Sequence, residues 1–189
     1  MQVIVQAGFA EQTINKSRFI AMAMACNGEP EVGAALRAFA AQHQSAHHLA
    51  YAFRIKAESG LVQRFSDAGE PSGTAGVPIL KMIEGRDLIN VCVAVIRYYG
   101  GVNLGTGGLA RAYGGTAKMA LDHAKLADYV EMQTLKLTIH YNQIDALTRV
   151  LSQCNGNIIS KVFNEQVELE LCLPKNAVPN VVGKFNKNY

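Results

Sequence analysis

Residues 88–124 read LINVCVAVIRYYGGVNLGTGGLARAYGGTAKMALDHA and decide the fold. The run from Leu88 to Ile96 is short, apolar and rich in β-branched residues, which is typical of a strand. Val91 to Ile96 shows no alternation, which predicts burial on both faces. A glycine-rich loop follows, and apolar residues then recur three and four apart over 109–124, which predicts a helix. The stretch is therefore strand, glycine loop and helix.

The start of this helix is a candidate site for an anion. A helix begins with free N–H groups and the positive end of its dipole, and a phosphate suits both. Glycines let the backbone approach a ligand closely. The alternative is a tight strand-to-helix turn that binds nothing.

Composition limits the classes of protein and partner. The chain has 189 residues, 49% of them hydrophobic and none of them Trp, which predicts a sizeable core in one large or two small domains. A net charge of +3 is too small to indicate nucleic-acid binding by itself. No apolar run reaches the roughly 18 residues of a membrane span, so no membrane partner is expected. The four cysteines form no C-x-x-C pair, which favours reduced thiols in a cytoplasmic protein over a zinc or redox site.

The rest of the chain predicts two domains. Before residue 88, the patterns predict strands over 11–16, 17–26, 49–57 and 61–65, helices over 30–43 and 77–84, and a loop over 66–76. The character changes near Ala127. Strands follow over 134–141, 157–163 and 167–173, with helices over 144–154 and 178–185. This β-α-β-β-α order is that of a ferredoxin-like sandwich without its last strand. We expect an α+β protein with domains 1–127 and 128–189.

The strand, the loop and the helix supply the candidate phosphate-binding residues. They are Arg97, Tyr98, Gly100, Gly101, Gly105, Thr106, Gly107, Gly108, Arg111 and Lys118. Arg97 ends its strand, where open sheets gather ligand sites, and its planar fork suits a phosphate. Tyr98 and Tyr99 are candidates for stacking on bases. The alternative puts one tyrosine in the core and pairs Arg97 with Asp87 or Glu70. Gly114-Gly115 inside the helix predicts a close contact with a neighbouring strand.

Further candidates line a predicted cleft. These are His48, Asp67, Glu70, Thr74 and Tyr113. Asp67 and Glu70, three apart on a loop, suit either a hydrated Mg²⁺ or the orientation of Arg97, although loop carboxylates are usually only solvated. His43 and His47 are either a metal pair or a cluster that ends a helix. No nucleophile–base set is evident, and we expect neither a bound metal nor a cofactor.

Several of these stretches together resemble the IMPACT/YigZ family. FSDAGEPSGTAG over 65–76 resembles that family's F-S-D-x-G-E-P-x-G-T-A-G segment. RYYGG over 97–101, LGTGGL over 104–109 and Ala112-Tyr113 resemble its R-[YF]-[YF]-G-G-x-x-L-G-T-G-G-L-x-[RK]-A-Y signature, and KSRF over 16–19 resembles its K-S-[RK]-F opening. The resemblance spans the whole chain. One departure is that Leu49-Ala50 follow His48 where the family often has a cysteine, which argues against a thiol-dependent activity.

The resemblance implies a fold and a field of activity. The first domain is implied to fold like the second domain of small-subunit ribosomal protein five, domain IV of elongation factor G and the GHMP kinases. The second domain is implied to resemble domain V of elongation factor G. Eukaryotic relatives act in translational control, and bacterial members have an implied link to the ribosome or to RNA.

Three functions are open at this point. The first is a translation-associated protein that holds an RNA or nucleotide phosphate in the glycine-loop cleft, with RNA, the ribosome or a protein of translational control as its partner. The second is an enzyme on a small phosphorylated or nucleotide substrate, with Asp67 or Glu70 as metal ligand or base and His48 as acid or base. The third is a protein–protein adaptor. The absence of a catalytic constellation weighs against the enzyme.

Overall fold

A computed structural model describes residues 1–186 of the chain. It divides into two compact units, Met1–Tyr129 and the residues from Val130 onward. Both mix helices with antiparallel strands, as predicted for an α+β protein with two domains. None of the helices in residues 1–186 combines the length and the hydropathy that crossing a bilayer requires.

The first unit is built on a five-stranded antiparallel sheet. Its elements are β1 (Gln2–Gln6), β2 (Gly8–Ile14), β3 (Ser17–Ala25), α1 (Glu29–Ala41), β4 (His48–Ala57), β5 (Gly60–Ser66), α2 (Gly76–Glu84), β6 (Val91–Tyr98), α3 (Gly105–His123) and β7 (Lys125–Asp128). The sheet order is β2-β3-β6-β4-β5, and β1 pairs separately with β7. The predicted central strand therefore lies at the centre of the sheet.

Strand β6 is buried on both faces, which confirms the prediction from its unbroken apolar run. Val91, Val93 and Val95 lie in the core that α2 and α3 share with the sheet. Cys92 and Ala94, which alternate with them, face the cores that α1 covers. Because helices cover both faces of the sheet, neither face of this strand is exposed to solvent, and the run from Val91 to Ile96 contains no polar residue.

The second unit has the predicted β-α-β-β-α order. It contains β8 (Met132–Ile139), α4 (Ile144–Gln153), β9 (Asn157–Phe163), β10 (Val167–Pro174) and α5 (Val178–Phe185), with short 3₁₀ turns before α4 and α5. The antiparallel sheet order β8-β10-β9 is that of the first three strands of a ferredoxin-like fold. Helix α4 stops at Asn155, which has a φ of 57°, and the N–H of Gly156 donates to the carbonyl of Leu151.

Several features differ from the sequence predictions. Helix α3 begins at Gly105, four residues before the predicted start at 109. Gly114 approaches Pro78 of α2, another helix and not a strand. Strands β1 and β7 were not predicted because each is short and is fixed only by its partner. The predicted boundary near Ala127 falls within β7, and the first unit extends to Tyr129.

Candidate functional site

The candidate site centres on a buried ion pair between Arg97 and Glu70. Arg97 lies near the end of β6, and Glu70 lies on the loop between β5 and α2. Nη1 of Arg97 donates to both carboxylate oxygens of Glu70, at 2.8 and 3.1 Å. Only 4% of Arg97 and 9% of Glu70 is exposed. Of the two pairings open from the sequence, Arg97 makes the one with Glu70, and Asp87 instead pairs with the amino group of Met1.

Two further side chains approach the same carboxylate. The hydroxyl of Tyr113 donates to Oε1 of Glu70 at 2.8 Å, and burial together with this bond raises the pKa of Tyr113 above its ordinary value. Nε2 of His48 lies 3.9 Å from the same oxygen. Nδ1 of His48 lies 2.9 Å from the carbonyl oxygen of Ala68, which can only accept, so Nδ1 carries a proton. The side chains of Arg97, Tyr113 and His48 thus meet at the carboxylate of Glu70.

This geometry corrects the predicted place of Arg97. The guanidinium is neutralised by Glu70 and lies between the rings of Phe19 and Tyr99, with its Cζ 5.6 and 5.1 Å from the two ring centres. Its Nη2 also donates to Oγ of Ser17 at 3.3 Å. Arg97 is therefore buried and paired, and it does not present a free charge to a phosphate as the sequence predicts. Arg97 was expected in a ligand site because it ends its strand, but the gathering of ligand sites at strand ends is a property of parallel sheets. This sheet is antiparallel throughout.

Asp67 fixes the loop that carries Glu70. One carboxylate oxygen accepts the N–H groups of Ala75 and Gly76, at 2.9 and 2.8 Å, and the other accepts that of Gly73 at 2.8 Å. Burial opposes ionisation of Asp67, but these three donors outweigh it and hold its pKa below the ordinary value. Thr74 is also structural, since its hydroxyl donates to the carbonyl of Pro71 at 2.6 Å. The loop carboxylates Asp67 and Glu70 are thus both engaged by donors of the protein itself.

Replacing Asp67 by Asn is expected to lower the free energy of unfolding by about 1.5–3 kcal/mol at pH 7, because one charge-assisted acceptor is lost. The folded-state pKa lies below the unfolded value of about 3.9. The contribution of Asp67 is therefore complete well above that value and is lost as the pH falls through the folded pKa. Urea unfolding at pH 7, 4 and 3 measures the difference in the free energy of unfolding between wild type and Asp67→Asn. This difference should become smaller below about pH 4. Exposed Glu58→Gln is the control, and an equal gap at pH 7 and pH 3 would contradict this account.

The histidines before β4 hold two tyrosines in place. Helix α1 ends at Ala41, so His43 and His47 do not share a helix face as a metal pair would. His43 hydrogen bonds with the hydroxyl of Tyr98 at 2.8 Å, and Nδ1 of His47 accepts the N–H of Tyr99 at 3.2 Å. No group of three metal-binding side chains exists within residues 1–186. Tyr98 is half-buried, whereas Tyr99 is 40% exposed.

The first turn of α3, Gly105–Gly108, is open at its N-terminus. Gly105 has a φ of +67°, which favours glycine, and Gly105, Thr106 and Gly107 are exposed. The turn has no side-chain cap and no acidic residue. Nη1 of Arg111 lies 3.5 Å from the position that a Cβ on Gly107 would occupy, so this cation lies against the same turn.

Two cavities flank this turn, and Leu104 lines both. The first, which we call the Glu70 cavity, has a volume of about 340 Å³ and is lined by Glu70, Pro71, Arg97, Asn103, Leu104, Gly105, Thr106 and Leu109. The second, the Arg111 cavity, has a volume of about 470 Å³ and is lined by Gln12, Ile14, Asn15, Leu104, Gly108, Arg111, Ala112, Gly115 and Met119. Of the predicted site residues, Glu70, Arg97, Gly105 and Thr106 thus line one cavity beside the helix end, and Gly108 and Arg111 line the other.

Nine predicted residues line neither cavity: Tyr98, Gly100, Gly101, Gly107, Lys118, His48, Asp67, Thr74 and Tyr113. Lys118 lies more than two turns further along α3, with its Nζ 2.8 Å from Asp122. Gly100 packs against the backbone of Lys16 and Ser17, and its N–H donates to Oγ of Ser17 at 3.2 Å. Gly101 has a φ of +81° and faces open space. Sequence reasoning missed Ser17 and Asn103 as site residues, although Ser17 lies in the KSRF opening that carries the family resemblance.

Comparison with known proteins identifies both units. The protein-family model described as the Impact N-terminal domain matches residues 15–121. The family model described as Domain of unknown function (DUF1949) matches residues 137–187. The chain is 36% identical over 175 residues to the IMPACT family member YigZ of Escherichia coli (strain K12), covering 92% of this chain and 86% of that protein. It is 48% identical over 163 residues to the IMPACT family member in pol 5'region of Thermus thermophilus, covering 85% of this chain and 86% of that protein.

Solved structures share the fold. A crystal structure described as that of an hypothetical protein superposes with a TM-score of 0.73 and 33% identity, covering 97% of this chain and 89% of that chain. The two-domain translational regulator Yih1 superposes with a TM-score of only 0.41 and 24% identity over 62% of this chain and 47% of that chain, a likeness too weak to carry an inference about function. The match to the Impact N-terminal domain and the identity to curated relatives over most of the chain agree, so this chain belongs to the IMPACT family.

Proposed function

We propose that this protein acts in translational regulation by binding RNA through its phosphates at the first turn of α3. Membership of the IMPACT family supports the link to translation, since eukaryotic relatives act in translational control. The observation that carries the binding role is the open first turn of α3, with the guanidinium of Arg111 against it and no acidic residue in the turn.

The electrostatics of the turn favour an anion. The N-terminus of a 19-residue helix carries about half a positive charge, and the free N–H groups of the first turn are donors. Arg111 is exposed and makes no ion pair within residues 1–186, so its charge is available. Arg97, by contrast, is neutralised by Glu70 and supplies shape and hydrogen bonding more than net charge. The cation in this proposal is therefore Arg111.

Binding of a labelled single-stranded RNA, followed by fluorescence anisotropy, tests the proposal. Arg111→Ala should weaken binding about fivefold at low salt and reduce the slope of log affinity against log salt by about 0.7, the value for one lost phosphate contact on a single strand. Lys118→Ala is the matched control, because Lys118 is on the same helix but is paired with Asp122. No binding at about 50 mM salt, or equal binding by the two variants, would contradict the proposal.

An enzyme on a phosphorylated substrate has less support. Asp67 accepts three backbone N–H groups, and Glu70 is engaged by Arg97 and Tyr113, so both carboxylates already have partners within the protein. A thermal-shift screen with nucleotides and Mg²⁺ separates the two functions, since a ligand of the native state raises the midpoint of unfolding. A shift that requires Mg²⁺ would favour the enzyme over the RNA-binding protein.

A further inference from the structure

Tyr99 is an aromatic side chain that is exposed and yet held on several sides. It is 40% exposed, and its backbone N–H donates to Nδ1 of His47. Its hydroxyl donates to Oδ1 of Asn103 at 3.1 Å, and the Arg97 guanidinium lies 5.1 Å from its ring centre. The ring therefore loses little conformational freedom when it binds a flat partner, because its position is already fixed.

The ring of Tyr99 contacts two residues that line the Glu70 cavity, Asn103 and Arg97. Asn103, which accepts the hydroxyl of Tyr99, lines this cavity and precedes α3 by two residues. With its Oδ1 engaged, the amide of Asn103 keeps N–H donors at the cavity wall. The exposed ring, these donors and the first turn of α3 thus belong to one continuous surface.

A second observation points to a ligand in the same cavity. Arg97 is one of the residues that line it, and the side chain of Arg97 is 5% exposed. Its Nε is buried, and no acceptor within residues 1–186 reaches it. A buried N–H without a partner is costly and is rare in folded proteins. The cavity is thus lined by a side chain that retains one unsatisfied N–H donor.

We propose that Tyr99 is a stacking platform for one base of a single-stranded RNA whose phosphate is bound at the first turn of α3. This inference rests on the proposed function and names its ligand class. In a duplex the bases are stacked on one another, so only an unstacked base can lie on a side chain. Tyr98 does not serve, because it is half-buried and packs against His43, whereas Tyr99 is 40% exposed.

The experiment compares variants of the full chain on two probes. The probes are a labelled oligoadenylate of about eight nucleotides and a duplex of equal length, within the site size of single-strand binders. Tyr99→Phe keeps the ring, and Tyr99→Ala removes it. Tyr141→Ala is the matched control, because Tyr141 is an exposed tyrosine of the second unit. An oligonucleotide carrying 2-aminopurine reports stacking directly through the quenching of its fluorescence.

Tyr99→Ala should bind the single strand about tenfold more weakly, within the range for one base–aromatic stack. Tyr99→Phe and Tyr141→Ala should stay within about twofold of wild type, and the duplex should bind more weakly than the single strand. Unfolding midpoints confirm that each variant is folded, and loss of 2-aminopurine quenching in Tyr99→Ala supports the platform. Equal affinity of Tyr99→Ala and wild type, or of duplex and single strand, overturns the platform while leaving the dependence on Arg111 intact. If the wild type binds neither probe, the proposed function falls as well.

Discussion

Replacing Glu70 by Gln is expected to lower the free energy of unfolding of the first unit by about 3–5 kcal/mol, because it leaves the Arg97 guanidinium buried without a counter-charge. Both side chains are about 95% buried, so water cannot take the place of the carboxylate. Glutamine has nearly the size of glutamate and keeps one acceptor oxygen for Tyr113 or Arg97. The decrease in the free energy of unfolding therefore reports the lost charge more than a change in packing. Urea unfolding followed by circular dichroism measures the change.

Two further variants separate the cause from general damage to the loop. The double variant Glu70→Gln with Arg97→Met should recover part of the lost stability, because it removes the buried charge instead of leaving it without a partner. Glu11→Gln removes one partner of an exposed pair with Arg18 and should match wild type within error. A double variant less stable than Glu70→Gln alone would show that Arg97 stabilises the fold by packing and not through the pair.

The elements were predictable where a pattern reports local physics. The apolar run of β6, the helical spacing of α3 and the alternation in β10 each reflect burial against a neighbouring layer, and each predicted its element. The strands β1 and β7 could not be found this way. Their pairing joins residues 119 to 126 positions apart, and neither strand has a periodic pattern of its own.

The site was less predictable than the fold, because residue type does not reveal partners. Arg97 and Arg111 look alike in sequence, and only the folded chain shows that one is buried on Glu70 and the other lies against the turn. Tyr98 and Tyr99 are adjacent, yet Tyr98 is bonded to His43 and Tyr99 to Asn103, and only Asn103 lines the cavity. The sequence did name Glu70 as an orienting partner of Arg97, which the structure bears out.

Gly100, which follows β6, has a structural role besides any contact with a ligand. Gly100 → Ala is expected to cost at least about 3 kcal/mol in the free energy of unfolding, the upper end for overpacking. A Cβ at Gly100 would lie 2.6 Å from the amide nitrogen of Ser17 and closer still to the carbonyl group of Lys16. These are backbone atoms, so no side chain can rotate away. The shift would also move the Ser17 hydroxyl, which accepts from both Arg97 and the N–H of Gly100.

Gly115→Ala is the matched comparison, and its effect should have the opposite sign. It lies within α3, has a negative φ, and an added Cβ would meet only Nε2 of Gln12 at 3.6 Å, an ordinary contact. Alanine should therefore stabilise the helix by about 0.5–1 kcal/mol relative to glycine. Denaturant unfolding of the two variants beside wild type measures both changes. If Gly100→Ala were as stable as wild type, the backbone of Lys16 and Ser17 would have to move at little cost in free energy. The close packing around Gly100 would then not be what positions Arg97.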